Sequence, residues 1–426
     1  MRRHRPVVAA VLGAALLLLA LSGTFCTATL AAGARSTLTL RECFSDVGGE
    51  PCQKVPHHSL GIAGDIAVSP DGTGVYVASR RYRPAGPGVD TITEFTRDAD
   101  GTLHPVGCLA FGGAHGCRPS RAPLEGVDRL AISPDGHDLY AITAGGLTEF
   151  SREADGRLQP IGCITLAARR ARGAGWCKRP AGWPALIPND VVPSPDGADL
   201  YVTGAMKERG FPRAAWVGGI YEFARRADGT VAPTPLGCFG PTDARRCGAI
   251  ASYYPLQEPV MAPDGSALYA IGYDAIWRFP RTADGSLGAP ECALAAGPGC
   301  ALGYPSYESL AIGAAGSPLY LGTFRETAAY SIAPNGALTK VAARRIPSDL
   351  LALSPDGSRL YGAAYGTGHG GIRAFAVGGD ALSPLGGPFL AEDVEGMALT
   401  PDGATLLATT SCTCGGLLDL ATGQAP

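Results

Sequence analysis

The sequence predicts an all-β fold in which seven similar units of four antiparallel strands close into a ring, a seven-bladed β-propeller. Three observations lead to this prediction: a turn sequence that recurs along the chain, alternating apolar residues beside it, and a second recurring turn. The stretch Asp128–Gly156 contains all three, with Ser133-Pro134-Asp135-Gly136 as its first turn and Ala154-Asp155-Gly156 as its second. Proline fixes φ, aspartate caps its own backbone and glycine accepts positive φ, so both sequences favour tight turns between strands.

The two turns mark seven units along the chain. The first turn ends at Gly72, Gly136, Gly197, Gly265, Gly316, Gly357 and Gly403. The second turn ends at Gly101, Gly156, Gly229, Gly285, Gly336, Gly379 and Gly423. Units one and three have more residues between their two turns than the other units do. We expect these extra residues, Arg81–Asp90 and Met206–Gly218, to be insertions in the loop between the second and third strands.

The N-terminal strand is expected to close the ring. Too few residues follow Gly423 to form a fourth strand in unit seven. The segment Ser36–Leu40 leads into Cys43 in the way that other fourth strands lead into Cys108 and Cys163. We therefore predict that the N-terminal strand pairs into the last blade and leaves no open sheet edge.

The first residues have the pattern of a secretory signal peptide. Arg2-Arg3-His4-Arg5 is followed by the apolar run Val7–Leu21 and by small residues up to Ala34. We predict a signal peptide at residues 1–34, one propeller domain at residues 35–426 and a secreted protein. An uncleaved membrane anchor is the alternative, although the apolar run is short for a membrane span. The net charge of −3 gives no indication of nucleic-acid binding, and we expect a monomer without a stable membrane anchor.

The thirteen cysteines fit an oxidising compartment. Removal of Cys26 with the signal peptide leaves twelve cysteines, and these lie in six close pairs along the sequence. We predict six disulfides, and the first five link the end of an outer strand to the loop leading into the next blade: Cys43–Cys52, Cys108–Cys117, Cys163–Cys177, Cys238–Cys247, Cys292–Cys300 and Cys412–Cys414. For Cys412 and Cys414, a redox-active or metal-binding pair is the alternative.

Part of the repeat resembles a known family. Ile66-Ala-Val-Ser-Pro-Asp-Gly and Val75-Tyr-Val-Ala-Ser are similar to repeats of the YVTN/lactonase-like β-propellers of secreted bacterial proteins. The tyrosine of this second segment, Tyr76, has counterparts in the following units, and unit seven has Leu407 at the same position. The counterparts are Tyr140, Tyr201, Tyr269, Tyr320 and Tyr361. The resemblance covers essentially the whole mature chain and implies the propeller architecture. Its implication for activity is weaker, because such propellers host lactone hydrolysis, ligand binding and scaffolding alike.

Polar residues enter each predicted innermost strand and would surround the mouth of the central channel. Aligned on the first turn, they are Asp65, Asp128, Asn189, Asp190, Glu258, Glu308, Asp349 and Glu395, together with Gln257. They are explained either as a solvated polar funnel or as oxygen ligands for a hard cation such as Ca²⁺. A third explanation assigns acid–base catalysis to Asp128, Glu308, Asp349 and Glu395. The aspartates of the Pro-Asp-Gly turns lie on the opposite face and are expected to be turn caps.

Two functional hypotheses follow. One face of the propeller is expected to carry the disulfide-closed crossovers and the long loops of units one and three, and we call it the loop face. In the first hypothesis, the loop face binds a small molecule, a glycan or a protein partner, because rigid scaffolds usually carry function on variable loops. In the second, the channel mouth holds a metal-assisted lactonase or related hydrolase. Trp176, Trp183 and Trp216 fall near one another in the region of blades 2 and 3. They form either an aromatic platform for a ligand or a cover for long loops.

Overall fold

Each blade is a β-sheet whose strands follow one another outward from the centre of the ring. The structure is a computed structural model that describes residues 36–49, 51–80, 90–168, 173–207, 216–250, 252, 255–272, 275–293, 308–364, 371–378, 381–389, 394–410 and 416–424. Its strands form seven sheets in which sequence neighbours pair, except that the first described strand pairs with the last one in blade 7. The predicted seven-bladed β-propeller is confirmed.

The strands are numbered in chain order. The first two, β1 (Thr39–Ser45) and β2 (Gln53–Lys54), belong to blade 7. Blade 1 comprises β3 (Ile62–Val68), β4 (Gly74–Arg80), β5 (Thr91–Arg97), β6 (Leu103–Phe111) and β7 (Arg118–Ser120). Blade 2 comprises β8 (Arg129–Ile132), β9 (Asp138–Thr143), β10 (Gly146–Arg152) and β11 (Leu158–Thr165). Blade 3 comprises β12 (Leu186–Pro193), β13 (Asp199–Lys207), β14 (Trp216–Ala224), β15 (Gly237–Gly240) and β16 (Gly248–Ala249).

The remaining blades continue the same order. Blade 4 comprises β17 (Gln257–Met261), β18 (Ala267–Gly272), β19 (Ala275–Pro280) and β20 (Glu291–Cys292). Blade 5 comprises β21 (Glu308–Ile312), β22 (Leu319–Thr323), β23 (Thr327–Ile332) and β24 (Leu338–Arg344). Blade 6 comprises β25 (Leu350–Leu353), β26 (Arg359–Ala363), β27 (Ile372–Gly378) and β28 (Ala381–Pro384), and blade 7 adds β29 (Val394–Leu399), β30 (Thr405–Thr410) and β31 (Gly416–Ala421). In the described part of the chain, short 3₁₀ helices cover Pro56–His58 and Ala114–Gly116.

The ring is closed by the N-terminal strand, as predicted. Strand β1 pairs antiparallel with β31, from Thr39 opposite Ala421 to Ser45 opposite Gly416. The innermost strands β3, β8, β12, β17, β21, β25 and β29 contact one another in sequence, and β29 contacts β3. Blade 7 is thus built from both ends of the chain, and its β31 edge is covered.

The core is divided among the blade interfaces. Seven buried apolar clusters each join two neighbouring blades, because the alternating strand pattern buries side chains on both faces of every sheet. Between blades 2 and 3, for example, Tyr140 and Ile142 pack with Leu200 and Phe223. The stability of the propeller therefore depends on how adjacent sheets are held together.

An arginine links each of the first four blades to the blade that precedes it in the ring. It lies four residues before the second-turn glycine in blades 1 to 4, as Arg97, Arg152, Arg225 and Arg281. Arg225 of blade 3 donates from Nε to the Tyr140 hydroxyl of blade 2 at 2.9 Å and from Nη2 to Asp135 Oδ2 at 2.7 Å. Arg152 contacts Tyr76 and Asp71 in the same way, and Arg281 contacts Tyr201 and Asp196.

Four of the turn aspartates, Asp71, Asp135, Asp196 and Asp402, therefore have two roles. Asp135 accepts hydrogen bonds from the Ser133 hydroxyl and the His137 N–H within its own turn, which confirms the predicted cap. The same carboxylate also receives the arginine of the next blade. These contacts hold the pKa of Asp135 below its usual value, although partial burial opposes them.

Buried glutamates make a second link between the same blades. Glu149 of β10 accepts the N–H of Val231 in blade 3 at 3.0 Å, and Glu222 of β14 accepts the N–H of Leu287 in blade 4 at 2.8 Å. Burial raises the pKa of both carboxyl groups to about 7, and each backbone hydrogen bond opposes the rise. These groups favour the folded state most when they are protonated.

The disulfides fix the crossovers between blades. Four predicted pairs are confirmed: Cys43–Cys52, Cys108–Cys117, Cys163–Cys177 and Cys238–Cys247. Cys292 is also disulfide-bonded, whereas Cys300, Cys412 and Cys414 lie outside the described residues. Beside each confirmed pair the crossover forms a short parallel pairing with the fourth strand, such as Phe239 opposite Gly248. This pattern is compatible with an extracellular protein.

The predicted signal peptide, residues 1–34, lies outside the described part of the chain. Within the described ranges, no helix combines the length and the hydrophobicity that crossing a membrane requires.

Candidate functional site

Four successive innermost strands place a charged residue at the same position of the repeat. The residues are Asp65 in β3, Arg129 in β8, Asp190 in β12 and Glu258 in β17. Arg129 Nη2 lies 3.3 Å from Glu258 Oε1, and Arg129 Nε lies 3.8 Å from Asp190 Oδ2. The N–H of Leu130, next to Arg129, donates to Asp65 Oδ2 at 2.7 Å. We call these four residues the channel cluster.

Arg129 is the residue that sequence reasoning missed. The alignment on the first turn identified Asp65, Asp190 and Glu258 as rim carboxylates, and the same column contains Arg129 in blade 2. The position of Arg129 in the repeat is the sequence signal that places it beside these carboxylates. The Arg129 guanidinium changes the chemistry of the channel mouth, because it neutralises part of the negative charge of the neighbouring carboxylates.

Irregular strand pairing accompanies the three carboxylates of the channel cluster. The pairing register shifts between Ala63 and Ile66 in β3, between Pro188 and Asp190 in β12, and between Gln257 and Val260 in β17. Such β-bulges redirect side chains and are frequent beside functional sites. Glu258 also has a φ of 48°, a conformation that costs a non-glycine residue on the order of 1–3 kcal/mol.

The electrostatics of the cluster follow from its recessed position. Burial raises the pKa of Asp65 to about 6, and the Arg129 guanidinium opposes this rise. Burial also raises the pKa of Asp190 well above its usual value, against the same cation. Burial lowers the pKa of Arg129, but Glu258, Asp190 and Asp65 outweigh it and raise that pKa overall. The Asp190 side chain is still 15% exposed, so water reaches the cluster.

The other predicted rim residues lie on the same end of the innermost strands. Asp128 forms an ion pair with Arg80 of β4, and Asn189 Nδ2 lies 3.5 Å from the Leu256 carbonyl oxygen. Glu308 begins β21, Asp349 directly precedes β25 and Glu395 lies in β29. In the described part of the chain, no three His, Cys, Asp or Glu side chains are grouped so that they could hold a metal ion. The calcium site therefore stays a prediction.

A second concave feature lies on the loop face between blades 2 and 3. It is an open cavity of about 770 Å³, within the range of about 300–1,000 Å³ that is typical of small-molecule sites. We call it the blade 2–3 cavity. It is lined by Ala144, Ala167, Ala168, Gly182, Trp183, Pro184, Ala185, Ile187, Met206, Lys207, Trp216, Pro241, Asp243, Ala244 and Arg245.

Extended strands of blade 3 form one wall of this cavity. The sequence predicted an insertion loop over Met206–Gly218, but β13 continues to Lys207 and β14 begins at Trp216. That expectation was wrong at both ends of the segment, since the added residues lengthen the hairpin strands. Lys207 and Trp216 are directly opposite in the register. The lengthened hairpin carries Met206, Lys207 and Trp216 to the cavity.

The base of the cavity depends on two glycines. Met206 lines the cavity and is only 1% exposed. A Cβ at Gly219 would lie 2.6 Å from Met206 Cγ, and a Cβ at Gly240 would lie 2.5 Å from Met206 Sδ. Any larger residue at either position would displace the methionine. These glycines thus keep Met206 withdrawn below the open volume.

Trp183, which also lines the cavity, is held in place by its neighbours. Its ring meets that of Tyr221 edge to face at a centroid distance of 5.9 Å. The Tyr221 hydroxyl donates to the carbonyl oxygen of Pro184, and the Arg246 guanidinium lies 5.7 Å from the Trp183 ring centroid. A ring supported in this way presents a fixed apolar surface at little entropic cost.

Two large apolar side chains on the cavity are open to solvent. Trp216 is 45% exposed and Ile187 is 40% exposed, and both line the cavity. Of the three tryptophans that the sequence places together, Trp183 and Trp216 share this cavity. Trp176 is not among its lining residues and instead has the Arg121 guanidinium 5.1 Å from its ring centroid.

Comparison with known proteins supports the fold and leaves function open. No protein-family model matches the sequence, and no curated protein matches it. Among solved structures, a candidate 6-phosphogluconolactonase from Bacteroides uniformis is similar, with 20% identity, a TM-score of 0.52, and coverage of 77% of this chain and 86% of that one. A protein from Lactobacillus plantarum has 13% identity and a TM-score of 0.54, with coverage of 78% and 85%.

A propeller from a different functional setting is similar to the same degree. The hydrazine synthase of Kuenenia stuttgartiensis has 15% identity and a TM-score of 0.51, with coverage of 85% of this chain and 96% of that one. Identities this low show the fold alone. The seven-bladed propeller is therefore shared, while the YVTN/lactonase-like family assignment stays a prediction.

Proposed function

We propose that this chain is an exported ligand-binding β-propeller that holds a small organic molecule in the blade 2–3 cavity. The observation that carries this proposal is an open cavity of about 770 Å³ with Trp216 and Ile187 exposed on it. Large apolar groups that face a concave volume gain free energy when a ligand removes them from water. A cluster of them in one cavity is a reason to expect an occupant.

The cavity has the rigidity that binding favours. Cys163–Cys177 closes the crossover that precedes Gly182–Ala185, and Cys238–Cys247 closes the loop that contains Pro241–Arg245. The contact of Arg246 with Trp183 joins the two crossovers. A site that is already ordered loses little conformational entropy when the ligand binds, so more of the contact free energy appears as affinity.

The test uses a neutral aromatic probe, N-phenyl-1-naphthylamine, whose fluorescence rises in apolar surroundings. We expect saturable binding to the mature protein and about tenfold weaker binding to Trp216→Ala, because truncating an aromatic anchor costs more than about 1 kcal/mol. Trp176→Ala is the matched control, since Trp176 is 36% exposed but does not line the cavity. Equal loss in both variants, or no saturable binding, would refute the proposal.

A second candidate is a lactonase-like hydrolase in the channel. The observation that favours it is Arg129 between the carboxylates of Asp190 and Glu258, with Asp65 close by. A carboxylate with a pKa of about 6 suits the removal of a proton from water near neutral pH. The water oxygen would add to the lactone carbonyl carbon while the guanidinium stabilises the resulting oxyanion. The ring C–O bond would then break, and the leaving oxygen would take up a proton.

Two measurements test the hydrolase. One is hydrolysis of a panel of lactones and esters by the wild type, by Arg129→Gln and by the control Arg157→Gln on the opposite face. Activity lost only in Arg129→Gln would support the channel site, and no hydrolysis of any compound would oppose it. The other is elemental analysis of the purified protein, which tests the metal-assisted form of the same proposal. One bound divalent ion per chain would support that form.

A further inference from the structure

The mouth of the blade 2–3 cavity carries more positive than negative charge. Lys207 and Arg245 line it together with one carboxylate, Asp243. Among the residues that the structure describes, neither Lys207 nor Arg245 takes part in an ion pair. Asp243, in contrast, is already engaged in an interaction of its own. Among the described residues that line the cavity, the uncompensated charge is therefore cationic.

The two cations stand beside the apolar surface that a ligand would cover. Lys207 lies directly opposite Trp216 in the β13–β14 register, so its ammonium group extends from the same hairpin end as the exposed indole. Arg245 precedes Arg246, whose guanidinium is already placed against Trp183. Arg246 thus supports the cavity wall at Trp183, and Arg245 is available to a ligand.

We infer that the cavity selects a flat, mainly apolar molecule that carries one anionic group, such as a carboxylate or a sulfonate. This inference rests on the proposed function and adds the ligand class. The apolar part would lie between Trp183 and Trp216, and the anion would face Lys207 and Arg245 at the mouth. A neutral ligand would fill the same volume but leave both cations without an ionic partner. A cationic ligand would be repelled by them.

A matched pair of dyes tests the charge preference. 8-Anilinonaphthalene-1-sulfonate has the same aromatic skeleton as N-phenyl-1-naphthylamine and adds one sulfonate. We expect the sulfonate to bind about three- to tenfold more tightly, because each exposed ionic contact makes a modest contribution and two cations act together. Raising the salt concentration should weaken binding of the sulfonate and leave the neutral dye unaffected.

The variants separate this inference from the proposed function. Lys207→Gln and Arg245→Gln together should abolish the preference for the sulfonate while the affinity for the neutral dye stays the same. Lys54→Gln, an exposed lysine of β2 in blade 7, is the control and should change neither affinity. Equal affinities for the two dyes in the wild type, or a preference that survives in the double variant, would overturn the inference and leave the proposed function standing. Failure of both dyes to bind would overturn the proposed function itself.

Discussion

The arginine links between blades lead to the sharpest prediction about stability. Arg225 is 11% exposed and pairs with Asp138, which is 5% exposed, and it also donates to the Tyr140 hydroxyl. In Arg225→Met the apolar stem is retained, but Asp138 is left as a buried carboxylate without its cation. Removing one partner of a buried ion pair typically costs about 3–5 kcal/mol. We expect a loss of about 3 kcal/mol in the free energy of unfolding, because the link to Asp135 is largely exposed and adds little.

The assay is denaturant unfolding of the oxidised mature protein, followed by tryptophan fluorescence. The matched control is Arg157→Met, because Arg157 and its partner Asp155 are 45% and 54% exposed. That pair should contribute less than about 1 kcal/mol. Removing the charge of Asp138 as well, in Arg225→Met/Asp138→Asn, should recover part of the loss. If Arg225→Met lost no more than Arg157→Met, the claim that these arginines hold the blades together would be wrong.

Three further predictions concern the scaffold. Burial raises the pKa of Glu149 and Glu222 to about 7, so between about pH 5 and pH 8 the folded state holds protons that the unfolded chain releases. The urea concentration at the midpoint of unfolding should therefore be higher at pH 5 than at pH 8. Glu149→Gln/Glu222→Gln should flatten this dependence, and a higher wild-type midpoint at pH 8 would contradict it. Replacing Cys238 and Cys247 by alanine should cost about 2–3 kcal/mol on the loop-entropy estimate and weaken binding of the neutral dye, whereas the same change at Cys43 and Cys52 should affect stability alone. Deleting residues 35–45 removes β1 and bares the β31 edge, so the product should aggregate in size-exclusion chromatography; a stable monomer would refute the closure.

The architecture could be predicted from the sequence because the turns that define each blade are local. In six of the seven blades Pro-Asp-Gly fixes where the pair of inner strands reverses, and the cysteine spacing fixes where the outer strand meets the crossover. The missing fourth strand of blade 7 could be matched to Ser36–Leu40 by counting alone. The turns and the cysteine pairs need only residues that are near one another in the chain. The closure joins the two ends of the chain, and it could be predicted because one end lacks a strand that the other end supplies.

The site was harder to predict because it brings distant residues together. Trp183 and Trp216 come from a crossover and from a hairpin, and the sequence left open whether they form a platform or a loop cover. The length of the insertion after Met206 did not reveal that part of it continues the two strands. Arg129 lies in the column that was aligned, yet its role depends on side chains from two other blades.

A crystal structure of the mature protein with 8-anilinonaphthalene-1-sulfonate would test the central claim most directly. We predict density for the naphthyl ring in the blade 2–3 cavity, between Trp183 and Trp216, with the sulfonate facing Lys207 and Arg245. Density for the dye at the channel cluster or elsewhere on the surface, with the cavity empty, would contradict the claim.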